Sequence, residues 1–193
     1  GNNDSSGGAT NTIFGYLAGV NIASGGTYNC LIGNNSGNDI TTGDFNIAIA
    51  SYNALHKLTT GARNMAIGAG SLTTADGAES DNIAIGVDAL GNANNDSTVK
   101  NIAIGNYALD AIGTNAHTGT IAIGHQALTA CTSGSSNLAI GYQSMAALTT
   151  GGSNIAIGNN TLDAADAGET GNIAIGEVLS LIHISEPTRL GMI

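Results

Sequence analysis

Residues 101–105 read Asn-Ile-Ala-Ile-Gly, and this pentapeptide decides the fold because it recurs along almost the whole chain. A repeat of nearly constant spacing indicates a solenoid in which each copy forms one coil. Ten copies are present, at steps of 17–19 residues. The copies start at Asn11, Asn29, Asn46, Asn64, Asn82, Asn101, Thr120, Asn137, Asn154 and Asn172. We number positions within each copy from this start, which is position zero.

The first residues after position zero alternate as a β-strand does. In residues 83–85, Ile-Ala-Ile, the two isoleucines point to one face and the alanine to the other. Position 3 is Ile in nine of ten copies, position 4 is Gly in nine and position 2 is Ala in eight. No copy has room for a helix of about 10 residues or more. The sequence therefore predicts an all-β fold, a parallel β-solenoid of about ten coils over residues 11–178.

Neither face of the predicted strand is charged, so we expect both faces to be buried. We expect isoleucines such as Ile85 and Ile104 to stack inside the coil. The alanines would then face neighbouring copies of the chain, because a small side chain permits a close approach. The residues predicted for this interchain face are Ala84, Ala103 and Ala122. The alternative is a narrow lumen lined by Ala, with Ile directed toward the other chains.

The asparagine at position zero predicts a structural ladder. In a parallel, in-register solenoid, identical side chains lie one above another, and amide groups can donate to and accept from their neighbours. A plain turn role is the alternative for these residues. The ladder is predicted for Asn46, Asn64, Asn82, Asn101, Asn137, Asn154 and Asn172.

The two cysteines, Cys30 and Cys131, are predicted to be free thiols. Cys30 falls at a strand position that we expect to point inward, whereas Cys131 falls in a loop five copies later. Five coils separate them by roughly 24 Å, and a disulfide requires Cα atoms within about 7 Å.

Charge excludes two classes of partner. The formal net charge is −10, with only four Lys and Arg residues in 193. A nucleic-acid surface needs clustered positive charge, and an anionic membrane repels such a chain. No apolar run approaches the roughly 18 residues of a membrane span. We therefore expect neither nucleic-acid binding nor membrane insertion.

No catalytic, cofactor or metal site is predicted. His56, His117 and His125 are isolated and are expected in ordinary surface or loop positions. Two groups of loop carboxylates offer oxygen ligands for Ca²⁺, but they lack the pattern of known calcium-binding repeats. These groups are Asp76, Glu79 and Asp81, and Asp163, Asp166 and Glu169.

The units at residues 101–109 and 137–145 resemble the head repeats of trimeric autotransporter adhesins. They also resemble the longer repeats of phage tail fibres that precede a self-cleaving intramolecular chaperone. The resemblance covers residues 11–178 and implies a left-handed parallel β-roll, three chains side by side, on a bacterial surface or a virion. Adhesin heads have a shorter repeat, so the spacing of 17–19 residues favours the tail-fibre type. The shared motif is architectural, and no catalytic residue is carried over.

The predicted function is that of a non-enzymatic, extracellular fibre segment that forms homotrimers. Its repeats would provide length and rigidity, and loops such as residues 91–100 and 110–119 would contact a host receptor or a glycan. The alternative is a carbohydrate-active or ice-binding solenoid. Aligned polar ladders on a flat exposed face would favour that alternative.

Both ends of the chain differ from the repeats. Residues 1–10 are interpreted as part of a preceding segment. Residues 179–189 read LSLIHISEPTR, which resembles the in-frame translation of an adapter used in sequencing libraries. We therefore expect residues 179–193 to be non-native and the natural chain to continue beyond about Val178.

Overall fold

A single parallel sheet of ten short strands runs the length of the computed structural model, which describes residues 10–163 and 168–179. The strands are β1 (Thr12–Phe14), β2 (Cys30–Asn34), β3 (Ile47–Tyr52), β4 (Met65–Ile67), β5 (Ile83–Ile85), β6 (Ile102–Ile104), β7 (Ile121–Ile123), β8 (Leu138–Ile140), β9 (Ile155–Ile157) and β10 (Ile173–Ile175). They lie in the sheet in chain order, so each strand pairs with the strands one coil before and one coil after. Ten strands enclose nine complete coils. The predicted all-β parallel solenoid is confirmed.

The register between coils follows the repeat. β5 and β6 pair Ile83 with Ile102, Ala84 with Ala103 and Ile85 with Ile104. Equivalent positions therefore form continuous files along the solenoid, even though the number of residues per coil varies. The extra residues of the longer coils lie in the loops, where they leave the strand register unchanged.

The two strand faces are the reverse of the prediction. Ala84, Ala103 and Ala122 are 0% exposed in the isolated chain and belong to the hydrophobic core. Ile85 and Ile104 are paired across β5 and β6, but they point outward and are only half-buried. The alanines therefore cannot form the interchain face, and the alternative of an Ala-lined lumen is correct.

Large side chains from the turn regions explain why the strands direct alanine into the lumen. In the third to eighth copies the Leu or Met that follows the small residue after the turn is buried, as is the side chain three positions further along. A lumen filled from that side has room for only a methyl group on the strand side, because protein interiors are closely packed. These buried side chains are Leu55, Leu58, Leu72, Ala75, Leu90, Ala93, Leu109, Ile112, Leu128, Cys131, Met145 and Leu148.

The asparagines at position zero hold consecutive coils together through buried hydrogen bonds. The backbone N–H and the side-chain Nδ2 of Asn101 both donate to Oδ1 of Asn82, at 3.0 and 3.2 Å. Nδ2 of Asn101 also donates to the carbonyl oxygen of His117 in the next coil, at 2.9 Å. Amide-to-amide contacts of this kind join Asn46 to Asn64, Asn64 to Asn82, Asn82 to Asn101, Asn137 to Asn154 and Asn154 to Asn172. Each amide thus contacts the coil on either side.

The glycine after each strand is required by a close approach of backbones. Gly105 has φ of +130°, and a Cβ added there would lie 2.6 Å from the carbonyl carbon of Gly124 in the next coil. Gly86 stands in the same relation to Gly105, with 2.6 Å to its carbonyl carbon. L-residues with side chains rarely adopt this backbone conformation. The file of glycines therefore lets the chain turn while successive coils remain in contact.

β3, which lacks this glycine, is longer than the other strands. Ala50 occupies position 4 of the third copy, and β3 continues to Tyr52 instead of ending at position 3. The register with β2 shifts between Ile32 and Asn34, and the next residue with positive φ is Asn53. Ala54 still reaches the core, although it lies one residue later in its copy than the equivalent small residue of the other copies.

Both cysteines are free thiols, but their environments are exchanged relative to the prediction. Cys30 lies in the outward file of strand residues and is half-buried, because it shares the face of the isoleucines. Cys131 is fully buried at a position where other coils carry Leu, Ile or Ala. Burial raises the pKa of the Cys131 thiol to about 11, so Cys131 is a protonated core residue at neutral pH.

Most of the two end segments lies outside the described residues. Of residues 1–10 only Thr10 is described, and of residues 179–193 only Leu179. The carbonyl oxygen of Leu179 accepts a hydrogen bond from the Leu162 N–H at 3.0 Å.

We predict that Gly105→Asn strongly lowers the thermal midpoint or prevents folding. The added side chain would overlap the Gly124 backbone, and strain of this kind costs on the order of 1–3 kcal/mol before any steric clash is counted. Gly119→Asn is the matched control, because Gly119 has φ of +67° and a Cβ added there would meet no described atom within 4 Å. Circular dichroism melting curves of both variants test this. Equal midpoints would contradict the proposed role of the glycine file.

Thr120 interrupts the ladder, and we predict that Thr120→Asn stabilises the protein by about 1 kcal/mol. Oγ1 of Thr120 is buried and has no hydrogen-bond partner among the described residues. An asparagine in its place would donate to Oδ1 of Asn101 and provide an acceptor for the following coil. Chemical denaturation of the variant and the parent chain measures the change. A decrease in stability would show that the Thr120 site does not accept the ladder geometry.

Candidate interaction surfaces

The outward residues of the strands form one continuous apolar surface. They occupy positions 1 and 3 of the third to tenth copies, next to the buried Ala file, and most are half-buried in the isolated chain. We call this surface the isoleucine stripe. It comprises Ile47, Ile49, Met65, Ile67, Ile83, Ile85, Ile102, Ile104, Ile121, Ile123, Leu138, Ile140, Ile155, Ile157, Ile173 and Ile175. A contiguous apolar surface of this extent is typical of an interaction site rather than of a monomer surface.

A second file precedes the strands, at the residue before position zero. The rings of Tyr28 and Phe45 stack there, with centroids 4.9 Å apart. In the next two coils Arg63 donates to Asp81 through Nε and Nη2, at 2.5 and 3.0 Å. The hydrogen bond from Arg63 lowers the pKa of the Asp81 carboxyl. An exposed ion pair contributes little stability, so this file adds side-chain contacts between neighbouring coils but little to stability.

A third file presents exposed aromatic rings just after the glycine turn. The His125 ring stacks on Tyr142, with centroids 5.6 Å apart and planes 15° from parallel. Tyr107 meets the other side of His125 edge-on, at 6.1 Å. Tyr107 and Tyr142 are 39% and 48% exposed. These three side chains form a small aromatic platform that the repeat motif does not predict, because they come from positions that vary between copies.

A shallow cleft of about 440 Å³ lies among the loops of three consecutive coils. The loops that surround it include residues 91–100 and 110–119, which were expected to offer polar contacts. The cleft is lined by Thr74, Asn92, Asn94, Ala111, Gly113 and Thr114. Small and amide side chains of this type can contact a polar ligand, but the cleft contains no charged lining residue among the described positions.

Three buried polar residues replace the glycine that most copies carry three residues before position zero. They are Glu79, Thr98 and His117, in consecutive coils, and all are 0% exposed. Oε1 of Glu79, Oγ1 of Thr98 and both ring nitrogens of His117 have no hydrogen-bond partner among the described residues. Unpartnered buried polar atoms are uncommon in native structures. The sequence signal for this group was the loss of Gly at one repeat position, but its burial was visible only in the structure.

The fold does not group the loop carboxylates as the sequence predicted. Asp81 pairs with Arg63 and does not join Asp76 and Glu79. Asp96, from the next coil, takes its place: one carboxylate oxygen from each of Asp76, Glu79 and Asp96 lies within 4.8 Å of the other two. Burial and the neighbouring Asp76 both raise the pKa of Glu79, burial having the larger effect. Of the second predicted group, Asp166 lies outside the described residues.

The histidines are dispersed as predicted, although one is not on the surface. His117 is buried, whereas His125 belongs to the aromatic platform and the backbone carbonyl of His56 accepts from Asp39 N–H. None of the three lies in a cluster with carboxylates or thiols in the described part of the chain.

Comparison with known proteins gives no match: no protein-family model, no curated protein and no solved structure is significantly similar to this chain. Within residues 10–163 and 168–179 there is also no helix that could cross a membrane.

We predict that His117 makes the protein less stable as the pH falls below neutrality. Burial lowers the pKa of His117 from its ordinary value of 6.5. The folded state therefore favours the neutral ring, and the unfolded chain takes up the proton first. The stabilising contribution is present above pH 6.5 and is lost as the pH falls through the lower pKa of the folded state.

The measurement is the thermal midpoint of the parent chain and of His117→Gln between pH 7 and pH 5. The parent midpoint should fall more steeply than that of His117→Gln, which has no imidazole to protonate at this site. His125→Gln shows the effect of removing an exposed imidazole from the platform. Identical slopes for the parent and His117→Gln would contradict the prediction.

Proposed function

We propose that the chain is a structural, non-enzymatic segment of an extracellular fibre and that it associates as a homotrimer through the isoleucine stripe. The observation that carries this proposal is the stripe itself. It is an apolar surface that runs the length of the sheet on a solenoid held rigid by its own backbone and Asn hydrogen bonds. Three such stripes brought together around a common axis would bury the outward isoleucines of every coil.

The energetics of burial favour this arrangement. Fully burying an Ile side chain contributes roughly 1.5–3 kcal/mol relative to leaving it exposed. Most stripe residues are already half-buried by their neighbours, so each has only part of that gain left. Two residues per coil nevertheless act together along the whole solenoid. The total is large enough to offset the loss of freedom on association.

The position on a virion or a bacterial surface is proposed from the resemblance of the repeats to phage tail fibres and trimeric adhesins. A fibre needs length at constant cross-section, and a solenoid provides it because each added copy lengthens the structure by one coil. The spacing of 17–19 residues favours the tail-fibre type.

Attachment to a receptor or a glycan is proposed for the variable positions. The aromatic platform of Tyr107, His125 and Tyr142 is exposed and rigidly stacked. Aromatic side chains are favoured at binding surfaces because they offer large contact areas at low entropic cost. The loop cleft lined by Asn92 and Asn94 adds polar groups in the preceding coils, and it shares with the platform only the coil that carries Tyr107.

The alternative functions have less support from the geometry. Ice binding would need free, regularly spaced hydroxyl groups, but Thr59 and Thr60 donate their hydroxyls to the carbonyls of Asp76 and Gly77 in the next coil. Carbohydrate chemistry would need a placed acid and base, and the cleft is not lined by charged side chains in the described structure.

We predict that Ile85→Lys combined with Ile104→Lys abolishes the trimer. Two ammonium groups in the middle of the stripe would be buried without partners on association, which is strongly unfavourable. Equilibrium sedimentation of the parent chain should give three times the chain mass, and the double variant a lower mass.

The matched control is Thr114→Lys with Ala116→Lys, which adds the same charge at exposed loop positions. This variant should remain trimeric and should unfold at the temperature of the parent. A folded, monomeric parent chain at all concentrations would overturn the proposed assembly.

A further inference from the structure

The three carboxylates brought together by the loops after β4 and β5 carry more negative charge than the surrounding residues compensate. Asp76 and Glu79 come from one loop, and Asp96 comes from the loop one coil further on. Arg63 forms an ion pair with Asp81, and Lys100 also lowers the pKa of that aspartate, which lies outside the cluster. The cluster thus has no positive partner among the described residues.

Glu79 distinguishes this cluster from an ordinary group of surface acids. Its side chain is 0% exposed. Oε2 accepts a hydrogen bond from the Gly77 N–H at 3.0 Å, while Oε1 is buried and without a partner among the described residues. A buried carboxylate oxygen with no partner is costly, and its placement against two other carboxylates makes the position suited to a positively charged ligand.

The loop backbone is arranged to hold the other two carboxylates in place. Oδ1 of Asp96 accepts from the Ala78 N–H at 2.9 Å, which leaves Oδ2 available. Gly77 permits this arrangement, because a Cβ there would overlap the Asp96 carboxylate. With its amide nitrogen directed at Asp76, Asn94 donates to both oxygens of that carboxylate, at 2.7 and 3.0 Å.

We propose that Asp76, Glu79 and Asp96 form a Ca²⁺ site that joins the loops of two consecutive coils. Ca²⁺ binds oxygen ligands at about 2.3–2.6 Å, so two oxygens bound to one ion are at most about 5 Å apart. The observed separations within 4.8 Å meet that limit. Asp76 and Asp96 are exposed, so an ion can enter from solvent and complete its shell with water. Mg²⁺ requires a stricter octahedral geometry and releases water reluctantly, so Ca²⁺ is the better fit.

The site is independent of the oligomeric state, since all its ligands come from one chain. A bound Ca²⁺ ion would cross-link the loops of two coils at the position where Glu79 replaces the usual glycine. The sequence prediction of no metal site rested on the absence of a known calcium-binding repeat pattern, and the group it considered contained Asp81 where the fold places Asp96.

The test is a thermal melt of the full chain after treatment with EDTA, with CaCl₂ then added in steps. The midpoint should rise and saturate as the site fills, as expected when a ligand binds only the folded state. Sites of modest charge in extracellular modules have dissociation constants of about 0.1–1 mM, and we expect saturation in that range. MgCl₂ at equal concentration should give a smaller rise.

Glu79→Gln should reduce the affinity for Ca²⁺ about tenfold or more, since ligand charge determines affinity. In EDTA this variant should melt at or above the parent midpoint, because it removes a buried carboxylate without its counter-ion. Asp96→Asn, at an exposed position, provides a second variant that should weaken binding without disturbing folding.

Glu169→Gln is the matched control, because Glu169 occupies the corresponding repeat position in a later coil and is only half-buried. It should keep the full response to Ca²⁺. The proposal is overturned if CaCl₂ leaves the parent midpoint unchanged, or if Glu79→Gln and Asp96→Asn respond as the parent does. The latter result would show that Ca²⁺ acts through the general negative charge of the chain.

Discussion

The hydrogen bonding of the asparagine at the start of each copy is the interaction on which the solenoid depends. Its amide oxygen accepts from the backbone N–H that starts the next copy, as Asn101 does from Thr120. Its amide nitrogen donates to the carbonyl three residues before that start, as Asn101 does to His117. These bonds are buried, where an unmet donor or acceptor is costly. They hold each strand directly above its predecessor, while the glycine file allows the backbones to touch. Loops can therefore change in length without moving the sheet.

The narrow lumen that results decides which surface the protein presents. In the third to ninth copies a Leu or Met from the turn fills the interior, so the strand contributes only alanine to it, and the larger isoleucines are directed outward. This is the reverse of an ordinary globular core, where the largest apolar side chains of a strand face inward. An outward stripe of isoleucine is consistent with a protein whose core is completed by neighbouring copies. The fold and the proposed assembly thus have one physical cause.

Variation between copies is concentrated where it does not disturb this framework. The position three residues before each asparagine is usually glycine, and its carbonyl accepts from the asparagine of the preceding coil whatever the side chain is, as at Gly61, Glu79 and Thr98. Polar residues can therefore replace glycine there without loss of the ladder. Other positions that vary between copies place Asp96 beside Glu79 and bring three aromatic rings into contact. Functional diversity in such a repeat arises from residues that the consensus does not specify.

The sequence by itself determined the repeat, the strand positions, the parallel register and the alignment of the asparagines, because these follow from spacing and from the period of two along a strand. It left undetermined which face of the strand is inside, since alternation is the same for either choice. Only the tertiary structure decided that Ala84 is buried and Ile85 outward, that Cys131 rather than Cys30 is in the core, and that Asp96 rather than Asp81 approaches Glu79. Each of these outcomes depends on how loops from different coils fill the same space, which local sequence does not encode.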